Sequence, residues 1–475
     1  MSELYNMKKI LFLMPKYVFR WLVRNNHHFV IALFYKIFAI KVKRDGSNFQ
    51  AVVSGKITIL AINADRFRGD LECLAQVNRF RVLTLDGKWG RTLMVAFTRK
   101  EIDVAEYINA RAGDDIYNLK QRMNVFFSGF TSSLLKLIKV DCVITVSYRY
   151  MEDFHWVKSF TKKGIPHLCF YREGLLAFDR LYYKVTLRHR LFNNYPVTHV
   201  VVHNQKCKSS FVESGFVTEG QVSVHGALRM DNLLKQINAG NGELNSKDKN
   251  RRKKVTLFYF PFQMSLFGKE GQPEIIKMKY PYAEIIWPHC IDMFRDLHIS
   301  LIRLAQKHTD IDFVIKPKQL YVDRNHSWSE YLKIVNETGI DLSKLKNYTI
   351  EPIANVHKLI INSDVVIALQ SSTVLEAAIA GKPVIFPLFY NYKETKNFND
   401  FMWRDHLDLF DVAESADELE TLVVERLENP KIDKKIMESR RELFKEYFSD
   451  LEGVALKKYT ETIENIVTSA KLEAR

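Results

Sequence analysis

The amino-acid sequence predicts two Rossmann-like, doubly wound α/β domains that face a central cleft and follow a basic helical segment. The chain has 475 residues, which suits two or three domains. Short apolar runs rich in β-branched residues alternate with helix-length segments, a pattern typical of parallel sheets covered by helices on both faces. The alternation stops at residues 238–254, which are polar and highly charged, and then restarts. Two α/β halves joined by one linker predict the cleft.

In the N-terminal domain, residues 45–237, five short apolar runs are typical of buried strands. Helices are predicted between them over residues 101–138 and 152–163, the second ending at Gly164. Because strands and helices alternate, we expect one parallel sheet in this domain. The predicted strands cover residues 57–63, 82–87, 141–146, 166–171 and 199–203.

The C-terminal domain, residues 255–450, repeats the alternation after the linker. Ligands of open α/β sheets bind beyond the carboxyl ends of the strands, so we expect both domains to contribute to the cleft. Four strands are predicted over residues 255–259, 312–317, 364–368 and 383–387, and helices over residues 289–308, 354–361 and 372–380. Residues 451–475 suit a final helix.

The composition excludes several classes of protein. An aromatic content of 12% excludes disorder along the whole chain. Five cysteines are scattered without a C-x-x-C pair, which argues against a disulfide framework or a structural zinc site and indicates a reducing, cytoplasmic location. Lys plus Arg is 70 and Asp plus Glu is 55, giving a net charge of +15. No helix-turn-helix, zinc-finger or RNP motif accompanies this charge, so we expect no nucleic-acid partner.

Residues 1–44 carry nine Lys or Arg residues and a single acid, Glu3. No apolar run reaches the roughly 18 residues that a membrane-spanning helix needs. The segment also lacks a small-residue cleavage site after a short apolar core, so it does not resemble a secretory signal. Two interpretations stay open. These residues form helices packed on the N-terminal domain, or they lie on an anionic membrane surface as a basic amphipathic segment.

The most specific local pattern is DVVIALQSSTVLEAAIAGKPVIFP, residues 364–387. The predicted strand 364–368 stops at Leu369-Gln370, and Ser371 or Ser372 can cap the helix that follows. The donors and dipole at the start of a helix favour a phosphate. Glu376 follows within the first turns, where a carboxylate often binds a pair of ribose hydroxyls. The alternative is an ordinary strand–helix–strand unit with a capped helix and a solvated glutamate.

This stretch resembles the nucleotide-binding half of the GT-B glycosyltransferases. The resemblance implies that Gln370, Ser371, Ser372 and Glu376 bind a nucleotide-sugar donor, and that the last helix, residues 451–475, crosses back to the N-terminal domain. GT-B enzymes generally need no bound metal, and no D-x-D motif occurs at a strand end, so we expect no metal or other cofactor. The matching residues are Ser363, Asp364, Ser371, Ser372, Glu376, Ala377, Gly381, Lys382 and Pro383.

Residues 199–231 are similar to the end of the N-terminal domain in bacterial surface-polysaccharide transferases. The similarity rests on Gly215-Phe216 and on the motif formed by Gly226, Arg229 and Asp231. CDP-glycerol transferases and the Kdo transferases of capsule and lipopolysaccharide assembly carry related versions. Residues 170–174, FYREG, resemble the acid-plus-glycine motif of Kdo- and sialic-acid-transferring enzymes, in which a serine pair also holds the CMP phosphate.

Residue roles follow from this resemblance and from the chemistry of sugar transfer. Asp231 is the predicted nucleophile of a retaining reaction, with a helix cap or a salt-bridged hinge as its alternative. Glu173 is the predicted general acid or base, with an exposed loop acid as its alternative. Arg229 is predicted to bind the donor. The His-Pro pair of these families is replaced by Lys316-Pro317, and Lys316 and Lys318 are predicted to neutralise a donor phosphate.

We therefore expect a glycosyltransferase that moves a sugar, best matched by CMP-Kdo or a similar CMP-linked acidic sugar, to a surface-polysaccharide or lipid-linked saccharide acceptor. The expected location is the cytoplasm, with peripheral binding to the inner face of the membrane left open. Three alternatives remain: transfer from UDP- or GDP-hexose or from CDP-glycerol, UDP-sugar 2-epimerisation, and a non-catalytic GT-B scaffold. No phosphate-loop, dinucleotide G-x-G-x-x-G or G-x-S-x-G motif supports another enzyme class.

Overall fold

The structure, a computed structural model, describes residues 16–43, 56–98, 102, 104–241, 251–258, 289–317, 331 and 334–473. Of the predicted features, Lys318 and linker residues 242–250 lie outside these ranges, as do residues 1–15 and Arg44 of the N-terminal segment. The chain divides into two compact units. Unit 1 comprises Met1–Asn232 and Tyr447–Arg475, and unit 2 comprises Leu233–Glu446.

Sixteen helices and thirteen strands are numbered in chain order within the described residues. The helices are α1 (Lys16–Arg24), α2 (His28–Phe34), α3 (Asp70–Ala75), α4 (Gly87–Phe97), α5 (Val104–Asn109), α6 (Tyr117–Leu137), α7 (Met151–Thr161), α8 (Asp179–Arg190), α9 (Gln205–Glu213), α10 (Met230–Gln236), α11 (Cys290–Lys307), α12 (Val356–Asn362), α13 (Thr373–Ile379), α14 (Ala416–Glu428), α15 (Lys434–Tyr447) and α16 (Ala455–Glu473). The strands are β1 (Ile40–Val42), β2 (Ile57–Ile62), β3 (Phe80–Leu85), β4 (Cys142–Thr145), β5 (His167–Phe170), β6 (His199–Val202), β7 (Val222–Val224), β8 (Lys253–Phe258), β9 (Ile311–Lys316), β10 (Tyr348–Ile350), β11 (Val365–Ile367), β12 (Val384–Pro387) and β13 (Asp411–Ala413).

Unit 1 contains a seven-stranded sheet in the order β1-β3-β2-β4-β5-β6-β7. Only β1 runs antiparallel to its neighbour, and the remaining strands pair in parallel. Side chains of β2 alternate between two buried clusters: Leu60 and Ile62 belong to one, and Ile59 and Ala61 to the other. Both faces of the sheet are therefore covered, which explains why its strands are apolar throughout.

The final helix α16 packs into the second of these clusters through Ala455, Tyr459, Ile463 and Val467. The four residues recur at every fourth position, which places them on one helix face. The helix thus belongs to the core of unit 1 although it lies more than 200 residues beyond α10 in the sequence.

Unit 2 contains a six-stranded sheet in the order β10-β9-β8-β11-β12-β13, and all its described pairings are parallel. Its central strands β11 and β12 are buried at every position. The predicted fold class, two doubly wound α/β domains with parallel sheets, is confirmed. The cleft between them stays a prediction.

One predicted element is wrong in its extent. The segment 101–138 was expected to be helical, but it contains two helices, α5 and α6, separated at Ala110–Ile116. Gly113 adopts a φ of 106°, which a helix cannot accommodate, and the Asp114 carboxylate accepts a hydrogen bond from the Arg111 N–H. A local glycine turn closed by an aspartate therefore interrupts the helical pattern.

Residues 16–43 form the helices α1 and α2, a π-helical turn at Tyr35–Ala39 and the edge strand β1. Across the described part of the chain, no helix has the length and apolar character needed to span a membrane.

Candidate functional site

In each sheet, successive strands are added first on one side and then on the other side of one parallel strand, and we call this point the direction switch. In unit 1, β2 lies between β3 and β4, and in unit 2, β8 lies between β9 and β11. The loops that leave such a pair of strands diverge to opposite faces, so a crevice opens beyond their carboxyl ends. The loops after β2, β4 and β11 are therefore the first places to look for a ligand site.

The loop after β11 contains the predicted serine pair. The Ser371 Oγ accepts hydrogen bonds from the Thr373 N–H, at 3.3 Å, and from the Thr373 hydroxyl, at 2.7 Å. Ser371 therefore closes the turn that precedes α13, while the N-cap residue Ser372 makes no side-chain capping hydrogen bond. The serine pair lies at the direction switch of unit 2, beside the carboxyl end of β8.

Ser372 belongs to a polar group that it forms with the buried Glu376 and with His357. Its hydroxyl donates to Glu376 Oε1 at 3.3 Å, and His357 Nε2 lies 3.2 Å from Glu376 Oε2. Glu376 is only 3% exposed, so the alternative of a solvated glutamate is excluded. Burying a carboxylate costs free energy because it loses its hydration, so a nearby opposite charge or hydrogen bonds must compensate that cost. His357, near the start of α12, supplies that compensation and was not predicted from the sequence.

Gln370 and Lys316 are both occupied by backbone groups of unit 2. The Gln370 amide donates to the Asp400 carbonyl, at 2.9 Å, and accepts from the Met402 N–H, at 3.1 Å. Gln370 therefore fixes the loop at residues 400–402. The Lys316 ammonium donates to the carbonyls of Pro317 and Pro352 at 3.0 and 2.8 Å. Its charge still lies at the carboxyl end of β9, two strands from β11.

Three other residues of the matching motif, Ser363, Asp364 and Lys382, lie at the opposite, amino-terminal edge of the unit 2 sheet. Ser363 shares a hydrogen bond with Thr256 at 2.7 Å, and the Asp364 carboxylate accepts from the Lys254 N–H at 2.7 Å. The buried Lys382 ammonium donates to the Ile361 carbonyl at 2.8 Å. These three matching residues therefore hold the scaffold together, while the serines and Glu376 occupy the edge where a ligand can bind.

Lys382 provides a test of this scaffold role. Burial lowers the pKa of Lys382 from 10.5 to about 8; the nearby Asp364 acts in the opposite direction and Arg251 in the same one. Between these two pH values the unfolded chain binds more protons than the folded chain, so stability rises with pH. We expect the free energy of unfolding to gain up to about 3 kcal/mol from this group between pH 8 and pH 10.5.

The comparison of wild type with Lys382→Met isolates this contribution, because other groups titrate equally in both proteins. Urea unfolding at several pH values should give curves that diverge above pH 8. Lys445→Met, at an exposed lysine of the same unit, is the matched control and should follow the wild type. Parallel pH profiles for wild type and Lys382→Met would refute the assignment.

In unit 1, charged side chains gather beyond the carboxyl ends of β2, β4 and β5. The Arg66 guanidinium, which follows β2, lies 5.1 Å from the centre of the Tyr150 ring. Arg149, which follows β4, forms an ion pair with Glu173 at 3.4 Å. The Glu173 side chain is 57% exposed, so a ligand can reach it, and the Gly174 carbonyl next to it accepts from the Asn204 amide at 2.8 Å.

Two further arginines extend this charged edge. The buried Asp70 carboxylate lies 3.4 Å from Arg172 Nε and accepts a hydrogen bond from the backbone N–H of Arg229 at 3.1 Å. Burial lowers the pKa of Arg172 to about 10 even though Asp70 acts against this, and Arg229 and Arg68 lower it further. The guanidinium of Arg172 is itself engaged, since it pairs with Asp70 and donates to the Arg66 carbonyl. We call Arg66, Arg149, Arg172 and Arg229 the arginine cluster.

Asp231 has a different environment from the one predicted for a nucleophile. It is 1% exposed, and its two oxygens accept hydrogen bonds from the N–H groups of Ala455, at 3.1 Å, and Leu456, at 2.7 Å. These are first-turn donors of α16, which have no acceptor inside their own helix. The negative charge also complements the dipole of that helix. The geometry therefore favours the capping alternative for Asp231.

The site residues that sequence reasoning missed are His357, Arg66 and Arg149. Arg66 and Arg149 each follow a strand of the direction switch in unit 1, so the switch-point rule could have identified them from the strand order. His357 has no such signal, because its pairing with Glu376 joins two helices. Within the ranges that the structure describes, no group of three His, Cys, Asp or Glu side chains is arranged to hold a metal ion.

Comparisons with known proteins return only distant structural similarity. No protein-family model matches the chain. No curated protein matches it either. Among solved structures, it is similar to the UDP-GlcNAc 2-epimerase from Neisseria meningitidis bound to UDP-GlcNAc, with a TM-score of 0.44 and 14% identity over 86% of this chain and 100% of that one.

The chain is also similar to two solved structures of proteins that are not described as epimerases. The wall teichoic acid polymerase TagF has a TM-score of 0.47 and 12% identity over 96% of this chain and 97% of its own. Anabaena Alr3699/HepE in complex with UDP and glucose has a TM-score of 0.42 and 13% identity over 86% of this chain and 100% of its own. These similarities are too low to transfer an activity, a substrate or a residue role to this chain.

Proposed function

We propose that the protein is a glycosyltransferase that uses a nucleotide-sugar donor. The observation that carries this function is the Ser372–Glu376–His357 group at the direction switch of unit 2. A carboxylate at that position suits the paired hydroxyls of a ribose, because each of its oxygens can accept a second hydrogen bond beside its contact with Ser372 or His357. The adjacent Ser371 and Ser372 hydroxyls suit the phosphate of the same nucleotide.

The chemistry of transfer needs a proton acceptor for the attacking hydroxyl and stabilisation of the departing phosphate. Glu173 is the proposed acid–base residue, since it is exposed at the carboxyl end of β5 and oriented by Arg149. Lys316 contributes positive charge at the carboxyl edge of the unit 2 sheet. Lys318 is proposed to act with it, on sequence grounds alone.

An acidic sugar is the substrate class that the charges of unit 1 favour. The four residues of the arginine cluster follow the carboxyl ends of strands in the unit 1 sheet, and the buried Asp70 pairs with the guanidinium of Arg172. Guanidinium groups bind carboxylates and phosphates with two parallel hydrogen bonds. A CMP-linked acidic sugar such as CMP-Kdo, transferred to a surface-polysaccharide or lipid-linked saccharide, therefore suits the protein best.

Retention through Asp231 is not part of this function. A carboxylate that attacks a sugar must approach the reacting carbon, and both oxygens of Asp231 are already held by the start of α16. Retaining and inverting transfer both remain compatible with Glu173 as the acid–base residue.

A thermal-shift screen of the purified protein against CMP, CDP, UDP, GDP and UMP tests the function. A ligand that binds only the folded state stabilises it by about 2.7 kcal/mol at a concentration one hundred times its Kd. We expect CMP to raise the melting temperature more than the other four nucleotides. Selectivity for UDP, GDP or CDP would contradict the donor assignment, and no shift with any nucleotide would contradict the function.

The same protein then separates transfer from epimerisation. A transferase releases nucleotide from its donor only when an acceptor hydroxyl is present, apart from slow hydrolysis. A 2-epimerase converts a UDP-sugar with no acceptor at all. Acceptor-independent conversion of UDP-GlcNAc at full rate would therefore replace the transferase assignment.

A further inference from the structure

The helices α1 and α2 and the turn after them expose apolar side chains that soluble proteins usually bury. Trp21 is 56% exposed, Phe29 53% and Ile37 58%. Isolated exposed apolar residues are ordinary, but a group of them within twenty residues marks a binding surface. We call this group the apolar patch; it consists of Val18, Trp21, Phe29, Val30, Leu33 and Ile37.

The opposite face of the same helices is firmly packed on unit 1. Ile31 and Tyr35 are buried, and the Tyr35 hydroxyl donates to the Trp89 carbonyl at 2.7 Å. The His28 ring packs directly on Gly129 of α6, because a Cβ atom added to Gly129 would lie 2.3 Å from the ring. The helix α2 is therefore apolar on both faces, with one face filled by the core of unit 1 and the other exposed.

The segment that carries the apolar patch has charges of one sign. Residues 16–43 contain six Lys or Arg residues and no Asp or Glu. Lys43 pairs with Glu72 of the neighbouring α3. Arg20, Arg24, Lys36 and Lys41 form no ion pair with any described acid, and they flank the exposed apolar side chains along the chain.

We propose that the apolar patch and its basic residues bind the surface of a membrane that contains anionic lipids. Exposed Trp and Phe beside Lys and Arg are the combination that inserts into the boundary between headgroups and acyl chains. An anionic bilayer provides at once the complement of the exposed apolar side chains and the complement of the basic residues of the same segment. This inference does not depend on the proposed sugar transfer.

Vesicle co-sedimentation of the full chain tests the proposal. The vesicles contain phosphatidylcholine alone or phosphatidylcholine with phosphatidylglycerol. We expect binding to the anionic vesicles, weakened by 0.5 M NaCl because salt screens the basic residues. Each basic residue near an anionic surface contributes about fivefold to binding. Lys36→Gln with Lys41→Gln should therefore weaken binding by at least about tenfold.

The apolar part is tested by a triple variant, Trp21→Ser, Phe29→Ser and Ile37→Ser, which should lose at least about tenfold in vesicle binding. A matched triple variant changes equally exposed apolar residues elsewhere on unit 1, and it should bind like wild type. These residues are Tyr183, Leu191 and Leu472, which are 63%, 55% and 65% exposed.

A second measurement reports insertion directly. Brominated lipids should quench the fluorescence of wild type but quench Trp21→Phe much less, although Trp21→Phe still binds the vesicles. Failure of the wild type to bind anionic vesicles, or equal binding by both triple variants, would overturn the proposal. A wild-type dimer that the patch variant converts to a monomer, without any vesicle binding, would identify the patch as a protein interface instead.

Discussion

Replacing Asp231 by asparagine is expected to destabilise unit 1 while leaving the turnover of each folded molecule unchanged. The substitution removes the charge that accepts hydrogen bonds from the Ala455 and Leu456 N–H groups. The asparagine side chain has a single oxygen, so it can accept only one of these two hydrogen bonds. Its NH2 group then faces the second N–H donor, and neither of the two is satisfied. We expect the free energy of unfolding to fall by about 2–3 kcal/mol, measured by urea denaturation.

Asp450→Asn is the matched control for this prediction. Asp450 also lies next to the start of α16, but it is exposed and pairs with Lys458. Its loss should change the free energy of unfolding by less than about 0.5 kcal/mol. If Asp231→Asn were as stable as wild type but lost about 10³-fold or more in transfer activity, the capping role would be contradicted and Asp231 would be the nucleophile.

Glu173→Gln is expected to abolish most sugar transfer without weakening nucleotide binding. Removal of a general acid–base residue lowers the rate by roughly 10²- to 10⁴-fold. The side chain is exposed and its ion pair with Arg149 is partly solvated, so the change should cost little stability. The measurements are kcat for transfer, which should decrease, and the Kd for CMP, which should stay constant.

Glu219→Gln provides the comparison, because Glu219 is another exposed glutamate of unit 1 that pairs with a basic residue, Lys208. It should retain wild-type kcat. A Glu173→Gln variant with the kcat of wild type would exclude Glu173 from the reaction. A decrease in kcat accompanied by the same decrease in CMP affinity would show that Glu173 supports folding or donor binding rather than proton transfer.

The sequence was sufficient to predict the two parallel sheets. Strands such as β2, β6 and β11 are short, apolar and β-branched because they are buried on both faces, and that composition is visible without a structure. The break at Ala110–Ile116 was missed because Gly113 lies inside a pattern that is apolar at helical spacing on both sides.

The candidate site was only partly predictable. Ser371, Ser372 and Glu376 follow a strand in a recognisable order, so their shared location was expected. The pairing of Glu376 with His357, and the capping of α16 by Asp231, join residues that lie far apart in the sequence. Such long-range contacts decide whether a carboxylate is buried, paired or exposed, and no local pattern encodes them.

The binding of CMP to Glu376→Gln tests the central claim most directly. Isothermal titration of wild type, Glu376→Gln and Ser372→Ala compares the affinity for CMP, with Ser343→Ala at an exposed serine of unit 2 as the control. Loss of a charged acceptor for ribose hydroxyls should weaken binding by about tenfold to a hundredfold. Ser372→Ala should weaken binding less, and Ser343→Ala should not change it. Equal affinity of wild type and Glu376→Gln for CMP would contradict a donor site at the Ser372–Glu376–His357 group.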